Sequence, residues 1–335
     1  MNGFTYAEGY RSALSLRETQ KAIKFVKDTF QKELSDALSL ERISAPLFVT
    51  KDSGINDDLN GVERKVEFDI KETGVTAQVV QSLAKWKRMA LARYGIEVGR
   101  GLYTDMCAIR RDDDVDNVHS IYVDQWDWER VITADDRNFE FLKEIVRRIV
   151  GAIADTKEKV TARYPMLSKT VCRDVFFIDS QDLEDLYPAL SPKEREAEIV
   201  KKHKTVFIMR IGGMLHSGIK HDGRAPDYDD WNLNGDLLVW NEILNEPLEL
   251  SSMGIRVDAA SLKVQLAACG AEDRLRFPYH QGIVNGTLPL TIGGGIGQSR
   301  LCLYLLEKLH VGEVQASLWT EETYRACEAH GIQLL

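Results

Sequence analysis

The run Thr291-Ile292-Gly293-Gly294-Gly295-Ile296-Gly297-Gln298-Ser299-Arg300 constrains this chain more than any other. Three successive glycines and then Gly297 strip side chains from a segment that feeds an apolar stretch. There Leu301, Leu303, Tyr304, Leu305 and Leu306 repeat as a buried helix would. Two explanations fit the glycines. A strand-to-helix turn with positive φ angles needs residues without a Cβ. So does a backbone lying against a bound anion, with Arg300 beside it in the first helical turn.

Residues 15–38 have apolar positions near helical period (Leu16, Ile23, Val26, Phe30, Leu34, Leu38), which predicts one long amphipathic helix. Residues 43–48, with Pro46, read as a short extended segment. Lys51 to Gly61 is a polar, turn-rich loop carrying Asp57 and Asp58, and Val62 to Ile70 alternates like a strand. A helix follows from about Ser82. Lys87 falls on its apolar face with Leu83, Trp86 and Ala90, so either its stem snorkels or an acid meets it inside.

Leu102 to Arg110 and Ser120 to Glu129 read as two strands of a hairpin whose tip is Asp112-Asp113-Asp114-Val115-Asp116. Alternation puts Gln125, Asp127 and Glu129 on one face of the second strand, and Trp126 and Trp128 on the other. The polar face is either the floor of a polar pocket or a strand end emerging into solvent. Phe139 to Arg163 reads as a second long helix, and Ser191-Pro192 opens a charged one with Ser as cap. Further strands are predicted at 175–178, 205–211, 236–240, 248–257 and 313–319, and a helix at 261–269. Hairpin-linked strands with helices in blocks, and no repeats or linker, predict a single α+β domain over residues 1–335, built on an antiparallel sheet.

Among the 335 residues, acids exceed bases and the formal net charge is −9, which opposes a surface made for nucleic acid or anionic lipid. Cys107, Cys172, Cys269, Cys302 and Cys327 are scattered without a CxxC, as expected of reduced thiols in the cytoplasm. No signal pattern, membrane-length apolar run or zinc-type histidine spacing is present. There is no Walker loop, dinucleotide fingerprint or GxSxG elbow. What remains is a cation set, Lys87, Arg110, Arg256 and Arg300, and an acid set, Asp57, Asp127, Asp229, Asp236 and Glu249. Anionic substrates with Mg²⁺ use such a mixture.

These residues carry a resemblance. The helix and segment ending at Pro46, then Arg110 with Gln125-Trp126-Asp127-Trp128-Glu129, then Gly293 to Arg300, resemble the three motifs of class II aminoacyl-tRNA synthetases. The aspartyl/asparaginyl branch is closest, with its Ser…Lys helix (Ser82 to Lys87) and its Asp…Glu pair followed by Ser and Arg (Asp236, Glu249, Ser252, Arg256). Over nearly the full length the chain is similar to the ammonia-dependent asparagine synthetase family. SLAKWKR (82–88), YVDQWDWERV (122–131), RAPDYDDW (224–231), NGDLLVWN (234–241) and ELSSMGIRVD (249–258) carry that similarity, with TIGGGIGQSRL (291–301).

The resemblance implies that aspartate and ATP form β-aspartyl-AMP and pyrophosphate, and that ammonia then displaces AMP. Arg110 would bridge the α-phosphate and the reacting carboxylate. Arg300 would lie along the nucleotide, and Asp236 and Glu249 would hold Mg²⁺. The aspartate α-carboxylate would meet Lys87 and Arg256, and Asp127, Gln125 and Ser252 would take its ammonium, with Ser82 and Gly295 completing that side. Asp57, or else Asp229, would take the proton from ammonium. A homodimer through residues 15–38 and 43–48 is implied. Two rival readings remain, a tRNA-charging synthetase and a non-catalytic nucleotide sensor. The acidic hairpin tip opposes the first, because clustered aspartates repel an acceptor stem.

Overall fold

The computed structural model describes residues 4–57, 59 and 63–335. Helix α1 (Leu16–Leu38) starts at a reciprocal cap between Ser15 and Glu18 and ends where Ser39 turns left-handed. Its face of Ala22, Val26, Phe30, Leu34 and Leu38 is buried, and the Phe30 ring lies 4.8 Å from that of Trp126. Strands β1 (Leu40–Arg42) and β2 (Phe48–Thr50) flank residues 43–47. Then come β3 (Glu67–Asp69), β4 (Thr76–Val79), α2 (Ala84–Tyr94), β5 (Gly101–Ile109) and β6 (Tyr122–Val131). Helix α3 (Phe139–Arg163) is capped by Asn138, and its buried face packs with α1 against the tryptophan side of the sheet.

The chain continues through β7 (Phe176–Asp179), α4 (Ser180–Leu186), α5 (Pro192–His203), β8 (Thr205–Met209), β9 (Asp229–Asn241) and β10 (Glu246–Arg256). It closes with α6 (Ala259–Ala268), α7 (Pro278–Val284), β11 (Thr291–Gly297), α8 (Gln298–Leu305) and α9 (Glu321–Ala329). The main sheet runs β1-β5-β6-β11-β10-β9-β8-β7, and a small one runs β2-β4-β3. Helices α1 and α3 cover one face of the main sheet. The other face carries α2 and, beside it, a cluster joining Met89 to Leu262, Leu266, Tyr279 and Ile283 of α6 and α7. No described helix is long and apolar enough to cross a membrane.

Four expectations change. The sheet is antiparallel only from β5 to β8, since β1 and β7 add at its edges in parallel. Residues 313–319 form no strand: the Glu313 carboxylate turns back to accept from the backbone of Leu309 and His310, which curls the chain there. Within 62–70 the described strand is only Glu67–Asp69, and Asp58, Gly61 and Val62 lie outside the described residues. The glycines of 291–297 make no positive-φ turn; they are themselves the central strand β11.

Candidate active site

Strand β11 lies between β6 and β10, and its register lines up the chemistry. Thr104, Asp127, Gly295, Ser252 and Asp236 stand opposite one another across β5, β6, β11, β10 and β9. A second row runs Glu129, Gly293, Gly254 and Asn234. The glycines keep the neighbouring side chains inside the sheet surface. A Cβ on Gly293 would fall 1.9 Å from Glu129 Oε2 and 2.6 Å from Arg256 Nη2. On Gly294 it would strike Met253 Cβ at 2.5 Å and the backbone oxygen of Ser252 at 2.8 Å. Close approach therefore explains this glycine run, a use that strand propensity does not suggest.

An alternating chain of ions crosses this surface. Lys87 Nζ donates to Asp127 and to the backbone oxygens of Trp128 and Gly294, each at 3.0 Å, and lies 3.8 Å from Glu129. An acid therefore meets Lys87 inside. Arg256 donates to Glu129 at 2.8–3.1 Å and to Asp229. Arg224 donates to Asp236 and approaches Asp229 at 3.6 Å. Ser252 Oγ lies 2.6 Å from Asp236 Oδ1 and 3.2 Å from Glu249 Oε1. The order is thus Asp127, Lys87, Glu129, Arg256, Asp229, Arg224, Asp236.

Burial alone would raise the Glu129 carboxyl, but Arg256 and Lys87 outweigh it and hold the group below its ordinary value. Burial draws Lys87 down, with Asp127 opposing. Burial also pushes the Asp236 carboxyl up, and the charge of Glu249 adds to this against the pull of Arg224.

Above the surface opens a cavity of about 640 Å³, large enough for a nucleotide and a small amino acid together. Ser82, Lys87, Arg110, Gln125, Asp127, Asp229, Asp236, Glu249, Ser252, Arg256, Gly295 and Arg300 all line it. Arg110 is nearly unengaged: Nη2 reaches the backbone oxygen of Gln81 at 3.4 Å, and its buried Nε has no partner among the described residues. Arg300 donates to the backbone oxygens of Val118 and Glu249, each at 3.3 Å. The rim carries Asp112, Asp113, Asp114 and Asp116, with Arg64 clamped on Asp112.

Two expected positions differ. Ser252 sits with the acid pair Asp236 and Glu249 rather than with Gln125 and Asp127, because its register partner on β9 is Asp236. Asp57 is not on an open loop and does not line the cavity. It is 2% exposed, accepts from the Leu59 amide, and leaves Oδ2 unpartnered among the described residues. Burial raises its carboxyl against the pull of Lys85. Beside it Asp227 accepts from Lys85, Arg274 and His280 at 2.9–3.0 Å. Sequence reading missed this cluster and Arg224, although Arg224 and Asp227 fall in the 224–231 string; the partners of Asp227 lie far off along the chain.

A helix-backed sheet with Arg256 on β10, the Asp236–Glu249 pair on β9 and β10 and a central glycine strand has the fold of the class II aminoacyl-tRNA synthetases. The asparaginyl-tRNA synthetase of Entamoeba histolytica, solved with asparaginyl-adenylate, superposes with TM-score 0.66 at 13% identity, over 90% of this chain and 66% of that one. The Pyrococcus horikoshii asparaginyl-tRNA synthetase complexed with asparaginyl-adenylate gives 0.64 at 15%, over 90% and 70%. Within that class, the family model for aspartate–ammonia ligase matches residues 17–331. Proteins named aspartate–ammonia ligase from Ruminiclostridium cellulolyticum and Clostridium perfringens are 55% identical over 336 residues and 57% identical over 329. They align over 100% and 98% of both chains. The chain belongs to the aspartate–ammonia ligase family.

Proposed function

We propose that this chain makes L-asparagine from L-aspartate and ammonia at the expense of ATP, through β-aspartyl-AMP, releasing AMP and pyrophosphate. A β-carboxylate oxygen attacks the α-phosphorus and pyrophosphate leaves. The nitrogen of ammonia then attacks the acyl carbon, AMP leaves with the bonding electron pair, and the nitrogen loses a proton. The first step brings two anions together, so the protein's main task there is to hold fixed positive charge where negative charge gathers. The observation that carries this reading is Arg110, which lines the cavity with a buried Nε that has no acceptor among the described residues and one long bond from Nη2.

In this reading Arg110 spans the reacting carboxylate and the α-phosphate, and Arg300 lies along the nucleotide. Arg256 still has an N–H on each terminal nitrogen for the α-carboxylate. Lys87 has given its three protons to Asp127, Trp128 and Gly294. It therefore acts on aspartate by setting the potential and by holding Asp127 and Gly294, beside Gln125 and Ser82, to receive the ammonium group. A Lys87→Met change is expected to raise the aspartate KM about tenfold or more and the ATP KM little; equal rises would sink this assignment.

Asp236 and Glu249 suit Mg²⁺, because burial and the charge of Glu249 push the Asp236 carboxyl up even with Arg224 bonded to it. Among the described residues no three His, Cys, Asp or Glu side chains converge as a metal site, so nucleotide phosphates and water would complete the shell. The metal would neutralise phosphate charge. For the proton of ammonium, Asp57 has the raised carboxyl but lies outside the cavity lining, and Asp229 lines the cavity but is tied to Arg256; Asp57 remains the first choice.

The same reading has one catalytic domain acting as a cytoplasmic homodimer through α1 and residues 43–48, without tRNA. The acidic rim supports the last point. Aspartate-dependent ATP–pyrophosphate exchange tests it directly, with ammonium, glutamine and tRNA added in turn. Asparagine formation only with ammonium is expected; transfer to tRNA, or no exchange, would overturn it.

A further inference from the structure

Arg224 belongs to no pattern that the sequence singled out as a site, yet its side chain, 8% exposed, lines the cavity. Among the described residues only one of its donor hydrogens is matched: Nη2 donates to Asp236, whereas Nε stands 3.6 Å from Asp229, beyond hydrogen-bond reach. That Nε is buried and without a partner among the described residues. Its two companions are far more committed. Lys87 has three protein acceptors, and Arg256 directs all three of its nitrogens at Glu129 and Asp229. A buried donor that the protein leaves unmatched carries a free-energy cost that a ligand acceptor can remove.

The loop before Arg224 is tethered from outside the sheet. Glu196 of α5 bonds His221 at 3.1 Å and Lys193 at 3.1 Å, and Lys193 reaches on to Asp222 at 3.3 Å. On the far side Trp231 Nε1 donates to the Ala225 oxygen at 3.3 Å. The guanidinium is thus fixed in advance over the acid pair.

We propose that Arg224 is a substrate-binding residue that receives an oxyanion, a carboxylate or a phosphate group, through its Nε–H and the Nη hydrogens not given to Asp236. The planar fork of a guanidinium suits either group. The inference rests on the ligase reading above, whose substrates supply both kinds of oxyanion.

The test uses the full chain with Arg224→Gln and Arg224→Lys, measuring steady-state KM for aspartate and for ATP at saturating ammonium. Arg224→Gln is expected to raise one KM about ten- to a hundredfold while the other moves less than about twofold. Arg224→Lys, with charge but no fork, should fall between Gln and wild type. A rise in the aspartate KM identifies the carboxylate, and a rise in the ATP KM the phosphate. If both KM values hold, or both change equally, Arg224 is only a counter-ion for Asp229 and Asp236 and the inference is wrong. Should the Gln variant not fold, the Lys variant decides by the same split. Absence of exchange in the wild-type chain would instead overturn the ligase reading.

Discussion

Glu129→Gln is expected to lower stability at neutral pH by about 3–5 kcal/mol, the cost of removing one partner from a buried ion pair. Glu129 is fully buried, and its carboxylate is the acceptor for Arg256 and Thr291 and the near neighbour of Lys87. The variant leaves two buried cations short of a counter-charge. The pH dependence has a definite sign. The folded-state value of Glu129 lies below its ordinary one, because Arg256 and Lys87 outweigh the effect of burial. Its contribution is therefore complete above the unfolded value, about 4.3, and is lost as pH falls through the folded value. Urea unfolding at pH 7 and at progressively lower pH should show a large gap between wild type and variant that narrows in acid. Equal midpoints at pH 7 would refute the ion-chain account.

Arg110→Gln is expected to do the opposite, leaving stability nearly unchanged while lowering aspartate-dependent ATP–pyrophosphate exchange by about 10²–10³-fold. Among the described residues the guanidinium has one long hydrogen bond, to Gln81, so the fold loses little without it. Its value arises when two anions crowd one point. Thermal melting alongside exchange separates the two effects. A rate within about threefold of wild type, below the effect of losing a single oxyanion donor, would remove Arg110 from the chemistry.

Much of this architecture was legible in local patterns. The helix expected over 15–38 begins at Leu16, the one over 139–163 matches α3, and the hairpin strands fall within two residues of β5 and β6. Those elements have strong periodicity and clear caps. The alternation of 121–129 also assigned the faces correctly, with Trp126 and Trp128 in the core, Gln125 and Asp127 lining the cavity, and Glu129 buried on that same side against Arg256 and Lys87.

What failed depended on distant neighbours. Glycine disfavours strands, so nothing local marks 291–297 as a central one; the reason is the bulk of Glu129, Gln125 and Met253 on adjoining strands. Asp57 reads as a turn residue, and only the packing of Lys85 and Asp227 around it makes it a buried acid. Arg224 gains its meaning from lying against β9, which presents Asp229 and Asp236 to it, and the partners of Asp227 come from α2 and from residues 274 and 280.

The row Thr104, Asp127, Gly295, Ser252, Asp236 has a consequence for how the site ages under stress. Its spacing is set by the inter-strand hydrogen bonds of five adjacent strands, not by any loop. Central strands open only with the whole sheet, whereas terminal and loop segments open far more readily. The alignment of this row is therefore lost only with the sheet itself, so on partial heating it outlasts the positions of groups carried outside the strands, such as Arg224.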